Sequence, residues 1–454
     1  MRSKVMHYLS KLFSSNRKYS FCDELTGLGN IKYFHESLAL HASSNKDADK
    51  LSVILINIDG FKDINNCYGY SAGNEILLEI SKRIQSAINY CIHESIDEFI
   101  SYNLCRVSGD EFSIAINGYD KSSFITSVMR KVSSGFKEPV ATKSETLVIS
   151  ASIGAAEYST QAQSKQELIK FSDMAMCNAK SSGSNQYRWF SREMETESIE
   201  KSVMISKIKK AIQENEFSLS YQPKVNCKEG GTELKEAEAL IRWKTKSGEQ
   251  ISPAEFIPFA EKNGLSNDIG KWVFEQLCKD IKGLEDNNIS NIKFSFNVSP
   301  NQLKDEVFRL FIEKMILKYK VNPNKLQMEI TEHCIAEDIS KTKETLLKIK
   351  KLGIEISLDD FGTEYSSLQF LSELPIDIIK IDRIFVSGCH ENRKRGAIIN
   401  AIVALANGLG MQSVAEGVES IQEAKFIIKS GCTQIQGFYY HKPMPLKEFV
   451  TATQ

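Results

Sequence analysis

No C-x-x-C pair occurs anywhere in this chain, although it holds ten cysteines. Their scatter fits neither a zinc site nor the disulfide framework of a small secreted domain, and predicts reduced thiols in a cytoplasm. No apolar run approaches the roughly 20 residues that span a bilayer. An excess of charge is also missing, because 57 Lys and Arg nearly cancel 58 Asp and Glu. Without a global basic field a nucleic-acid polymer is not an expected partner, and any anion site has to be local. The start, MRSKVMHYLSKLFSSNRKYS, is basic but lacks the apolar core of a signal peptide. Val5, Met6, Leu9, Leu12 and Phe13 fall at helical spacing there. Residues 1–20 therefore read as an amphipathic segment that packs on its own domain or touches a membrane surface or partner helix.

What is present is enough for more than one core. A length of 454 residues, 42% hydrophobic and 25% charged, predicts two or three soluble globular domains. Over residues 21–190, strand runs such as LSVILINID and TLVISASIGAAEY alternate with helical patterns such as GNEILLEISKRIQSAI and KQELIKFSDMAMCNAKSSG. RVSGDEFSIAI predicts two strands joined at Gly109, a residue free to take positive φ. The mixture indicates an α+β or open α/β domain. Residues 191–202 are polar and charged, as in a linker or connecting helix. From 203 to 454, eight strand-like runs separated by helical ones predict a (β/α)8 barrel.

In such a barrel the strand ends form the active site, so their residues carry the chemistry. The ends bear Glu238, Asn297, Glu329, Asp359, Asp360, Lys380, Glu416 and Gln436. Carboxylates that converge without a counter-charge repel one another, and a divalent cation removes that cost. An all-oxygen set suits Mg2+ or Mn2+ better than zinc. Asp359 and Asp360 are expected to hold two metals close together, an arrangement suited to displacement at phosphorus. Lys380 would hold the attacking water or neutralise developing charge, or else simply pair with Asp382. Arg242 would clamp a phosphate. The residues by themselves thus predict metal-dependent phosphoester hydrolysis.

EALIRW at 238, YQPKV at 221, SPAEFIPFAEKNGL at 252, FNVSP at 296 and EITE at 329 occur in one order. LDDFGTEYSSL at 358, IKIDRIFV at 379, AEGVES at 415 and QGFYYHKPMP at 436 follow them. This series resembles the EAL-domain cyclic-di-GMP phosphodiesterases. The resemblance implies a TIM-like barrel that cleaves cyclic di-GMP to linear pGpG, as a homodimer, with two Mg2+ or Mn2+ ions. It implies that Glu238, Asn297, Glu329 and Asp359 hold the first ion. Asp360, the shared Asp359 and Glu416 would hold the second, with Glu416 alternatively a base. Lys380 would touch the water, and Glu332 would pin the loop after Asp360. Gln222, Arg242, Asp382, Glu419 and Gln436 fall at substrate or supporting positions. Glu364 replaces a glycine of the family pattern, which costs about 1 kcal/mol or more if positive φ is required there.

CDELTGLGN at 22, NIDGFKDINNCYGYSAGNEIL at 57 and RVSGDEF at 106 resemble the GGDEF domain, the palm-like, ferredoxin-like fold of the diguanylate cyclases. Asn57 stands where that family has a metal-binding aspartate, and Asn74 where it has a guanine-reading one. Ser108 replaces the first glycine of the namesake motif and Ser184 an arginine. Phe99 and Tyr102 occupy the places of the product-inhibition motif. Lys62, Asn65, Asp110, Glu111 and Lys180 are retained. The resemblance therefore implies a degenerate domain that regulates the barrel, with or without bound GTP, or serves as a scaffold.

Overall fold

The computed structural model describes residues 21–42, 51–95, 100–117, 122–143, 145–158, 160–227, 234–287, 289, 291–336, 339–363 and 368–453. The N-terminal segment 1–20, Phe99 and Glu364 lie outside them. The chain divides into two compact units between Ser202 and Val203. From Arg192 on, the stretch 191–202 is part of the helix Arg192–Gln213, the connecting-helix alternative.

The strands of the first unit are β1 (Leu51–Ile58), β2 (Ser101–Ser108), β3 (Glu111–Asn117), β4 (Val140–Ala141), β5 (Thr146–Leu147), β6 (Ala151–Glu157) and β7 (Tyr187–Trp189). Five make a sheet in the order β2-β3-β1-β6-β7, antiparallel except for β6–β7. Every residue of β1 is buried, which follows from its central place with helices on both faces. Ile54, Ile56 and Ile58 face the core under helices 61–94 and 122–136, while Val53 and Leu55 face the other side. The run TLVISASIGAAEY is not one strand. Thr146–Leu147 pairs with β4, Val148 is exposed, and the sheet strand starts at Ala151. The β2–β3 turn places Gly109 at φ 31.

The second unit holds β8 (Phe217–Asn226), β9 (Leu234–Lys244), β10 (Gln250–Ile251), β11 (Lys293–Asn297), β12 (Leu326–Thr331), β13 (Glu355–Phe361), β14 (Ile378–Ile381), β15 (Gln412–Ala415), β16 (Gln434–Ile435) and β17 (Met444–Pro445). Eight of them close a barrel in the order β8-β9-β11-β12-β13-β14-β15-β16, with β16 returning to β8. The expectation of eight equivalent strand–helix repeats needs one correction. β8 is antiparallel to both of its barrel neighbours, whereas the other neighbouring strands pair in parallel. The connection 227–233 between β8 and β9 is too short for a crossover helix, so the two strands pair as a hairpin. A second correction follows from register. β9 runs beyond the barrel to pair with β10, so Glu238 lies at mid-strand, opposite Gln222, rather than at a strand end.

Candidate active site at the barrel mouth

Lys380 organises the site. β14 is buried at every position, and its lysine is fully enclosed. The ammonium lies 2.6 Å from Glu329, 2.6 Å from Glu416, 2.9 Å from Asp359 and 3.7 Å from Glu238. Burial works against its charge, but the four carboxylates outweigh it and hold the pKa well above the ordinary lysine value. Its partners are these acids rather than Asp382, whose carboxylate instead accepts from Ile384 N and caps the short helix 383–386.

A second lysine lies beneath. Lys224 on β8 donates to Gln327 at 2.7 Å and to Glu329 at 2.7 Å, wholly buried. Burial pushes Glu329 up, but Lys224 and Lys380 together hold it at about 2. The idea that these acids converge without a counter-charge is thus corrected by two internal ammonium groups. In the sequence Lys224 stands out only as part of the YQPKV motif, because the reversal of β8, which carries its C-terminal end away from the mouth, is not written there. Its signal was a lysine between Pro223 and Val225 in an apolar strand.

The adjacent acids of β13 reach the same place through a break in strand geometry. Neighbouring residues of a regular strand point to opposite faces. Here Asp360 stands at φ 54, a conformation that aspartate tolerates better than most residues, and the register shifts between Leu358 and Phe361. One oxygen each of Asp359, Asp360 and Glu416 consequently lies within 4.8 Å of the other two. Burial, then Asp359, pushes Asp360 up to about 7. Burial pushes Glu416 up to about 8 although Lys380 lowers it. Gly362 N donates to Glu332 at 2.7 Å, which ties the chain after Asp360 to the residue that follows β12.

The remaining candidates fall into three groups. Glu238 accepts from Asn297 Nδ2 at 2.7 Å and from Gln436 Nε2 at 2.7 Å, and Gln436 also donates to Gln222 at 3.1 Å. Burial, then Glu329, raises the Glu238 pKa. Arg242, half-buried, lines a cleft of about 450 Å3 that reaches Asp359 and Asp360. Glu419 pairs with Arg383 at 2.8 Å beside a second cleft of about 240 Å3 over Lys380. The set Asp359, Asp360 and Glu416 is therefore gathered as a cation site would be. Glu238, Glu329 and Asp359 surround the Lys380 ammonium instead.

An all-oxygen donor set with an excess of carboxylate fits a hard divalent cation. Gln436 Oε1 adds an acceptor that is buried and has no hydrogen-bond partner among the described residues. The residues present fit a divalent metal ion.

In the first unit Asn57 is buried at the end of β1, donates to Asp110 at 3.3 Å and accepts from Lys180 at 3.1 Å. Burial, then Asp110, raises the pKa of Glu111. Asn65 packs its amide against Gly73, while Lys62, Asn74 and Ser184 are exposed. Among the described residues no helix is long and apolar enough to cross a membrane.

Comparison with known proteins follows this geometry. The family model "Diguanylate cyclase, GGDEF domain" matches residues 20–186, and the model "EAL domain" matches residues 205–443. The cyclic di-GMP phosphodiesterase PdeR of Escherichia coli is 30% identical over 94% of this chain and 62% of its own length. The bifunctional diguanylate cyclase/cyclic di-GMP phosphodiesterase MucR of Pseudomonas aeruginosa is 31% identical over 90% and 58%. The chain thus spans about three-fifths of the length of these curated relatives. A solved structure of PaMucR phosphodiesterase in complex with c-di-GMP is 33% identical, with a TM-score of 0.52, over 54% of this chain and 99% of that one. With both motif series, the closed barrel and its ring of acids accounted for, the chain belongs to the EAL-domain family and carries a GGDEF domain ahead of the EAL domain.

Proposed function

We propose that the barrel hydrolyses cyclic di-GMP to linear pGpG with Mg2+ or Mn2+ bound at its mouth. The observation that carries this reading is the gathering of Asp359, Asp360 and Glu416 beside Lys380, at the junction of two clefts. Divalent cations, when bound, supply positive charge against the phosphate and make water more acidic. Asp359, Asp360 and Glu416 would hold one cation, and Glu238, Asn297, Glu329 and Asp359 a first one. Lys380 then turns from these acids toward the water and steadies it in line with phosphorus. Alternatively Glu416, 2.6 Å from Lys380, takes the water's proton instead of holding the cation. Arg242 binds a phosphate oxygen, and the paired amides of Gln222 and Gln436 keep Glu238 aimed.

The domain that spans residues 21–190 acts in this reading as a regulator or scaffold. Asn57, Asp110 and Lys180 satisfy one another, which leaves the place of the missing aspartate without a charge to hold a nucleotide's cation. Substrate contact and homodimer formation both belong to the region 203–454. The experiment is incubation with cyclic di-GMP and Mn2+, followed by detection of pGpG. Cleavage abolished by Glu238→Ala supports the enzyme. Tight binding without cleavage makes the barrel a receptor instead. A parallel incubation with GTP should give no cyclic di-GMP.

A further inference from the structure

The two clefts share Leu240 and Asp359 but are built of different material. The larger has an apolar wall that includes Ile257, Ile269 and Val273. Glu261 lines it as well. The helix Pro253–Lys262 buries Phe256 and Ala260 against the barrel, so the carboxylate of Glu261 follows the apolar face into the cleft. Burial pushes this carboxyl up, with His333 pulling it down. Among the described residues it has no hydrogen bond or ion pair. A carboxylate so placed is short of donors, and a ligand that brings two of them removes the cost of its desolvation.

Among the described residues the smaller cleft has no comparable free carboxylate, although the amide oxygen of Gln436 there lacks a hydrogen-bond partner. Glu419 there is engaged by Arg383 at 2.8 Å, and Glu416 and Glu238 face Lys380. What it does offer is Phe438, 51% exposed, as a flat surface at its edge. An aromatic face accepts any base by stacking.

Among the bases, guanine presents N1–H and the N2 amino group side by side, and a carboxylate can accept from both. Adenine has an acceptor at N1 and no amino group at C2. Resting on the reading of the barrel as a cyclic di-GMP site, we propose that Glu261 reads the N1–H and N2–H edge of one guanine in the larger cleft, while the second base stacks on Phe438. The two halves of a symmetric ligand are then recognised by unlike means, one strictly and one loosely. Glu261 is a specificity-determining residue that touches the base and takes no part in the bond cleavage.

The mixed cyclic guanosine–adenosine dinucleotide separates the two halves. Binding is measured by calorimetry on the full chain in Ca2+, which accepts the same oxygen ligands, with the ligand checked to be intact afterwards. Wild type should bind cyclic di-GMP and the mixed ligand similarly, and cyclic di-AMP far more weakly. Glu261→Gln and Glu261→Ala should each weaken cyclic di-GMP binding by about tenfold to a hundredfold, the range for a lost bidentate base contact. Neither should weaken cyclic di-AMP, and melting temperatures should stay at the wild-type value. In Mn2+ the variants should raise KM with kcat nearly unchanged. Wild type should release mainly one of the two linear isomers from the mixed ligand, and Glu261→Ala should release both. Cyclic di-GMP affinities of both variants within twofold of wild type would overturn the proposal while leaving hydrolysis intact. Wild type that binds without cleaving would refute hydrolysis, and the Ca2+ comparison would still decide the role of Glu261.

Discussion

Replacing Lys224 by methionine tests how far the site depends on the charge beneath it. Lys224 and Glu329 are 1% and 0% exposed, 2.7 Å apart, so water cannot take the place of the lost ammonium. Methionine fills much the same volume with no donor. Glu329 then keeps Lys380 as its ion-pair partner, and Gln327 Oε1 loses its hydrogen bond. Breaking one side of a buried pair costs about 3–5 kcal/mol. Two of the three tryptophans, Trp243 and Trp272, belong to the barrel, so fluorescence during urea unfolding reports chiefly on this unit. The pH dependence carries a sign. Glu329, held at about 2 in the folded protein, contributes stability that is present above the ordinary carboxylate range and lost as the pH falls through 2. In Lys224→Met that loss should begin at higher pH. A destabilisation below about 1 kcal/mol, or an unchanged acid limb, would refute the argument that Lys224 carries Glu329.

Manganese binding near pH 6.5 should release protons, because Asp360 at about 7 and Glu416 at about 8 must ionise to hold a cation. Calorimetry in buffers of different ionisation enthalpy counts them: about one to two at pH 6.5 and close to none at pH 9. Opposite in sign to Glu329, the stability these two groups add to the cation-free protein is present below the ordinary carboxylate range and lost as the pH rises from there through 7 to 8, and melting in EDTA should show it. Gly437→Ala should lower kcat/KM by tenfold or more, since an added Cβ would collide with the Val418 backbone and move Gln436 off Glu238; steady-state kinetics checks this, and a normal rate with intact folding would count against it. Asn57→Asp should make melting of the first unit respond to Mn2+ where wild type does not, because a second carboxylate then faces Asp110; scanning calorimetry distinguishes the two units.

Periodicity made most of the fold readable, and it also set the limit. Alternation along FSLSYQPKV identifies a strand, but the pattern is the same in either direction, so the reversal of β8 was invisible except through the short connection after it. The acids at 359 and 360 were legible as a pair. Their convergence depends on the left-handed turn at Asp360, which a single aspartate does not announce. Lys380 was legible as a lysine at a strand end with a role toward the water, but its four partners come from β9, β12, β13 and the turn after β15, which only the closed barrel assembles. Asn57 was legible as a substitution, whereas its bonds to Asp110 and Lys180 needed the sheet register that sets Asn57 opposite Glu111.

The reversed strand has a mechanical corollary. Phe217 pairs with Trp243, beyond Glu238 on the open side of the barrel, so the polypeptide enters this enclosure from above its floor and descends past Gln222 to Lys224. The helix that ends at Gln213 leads into that descent through a three-residue turn, 214–216, with Ile208 and Ala211 anchored in the barrel core. Any rotation of this entry rod must therefore pass the left-handed turn at Asn215 before it reaches the innermost ammonium.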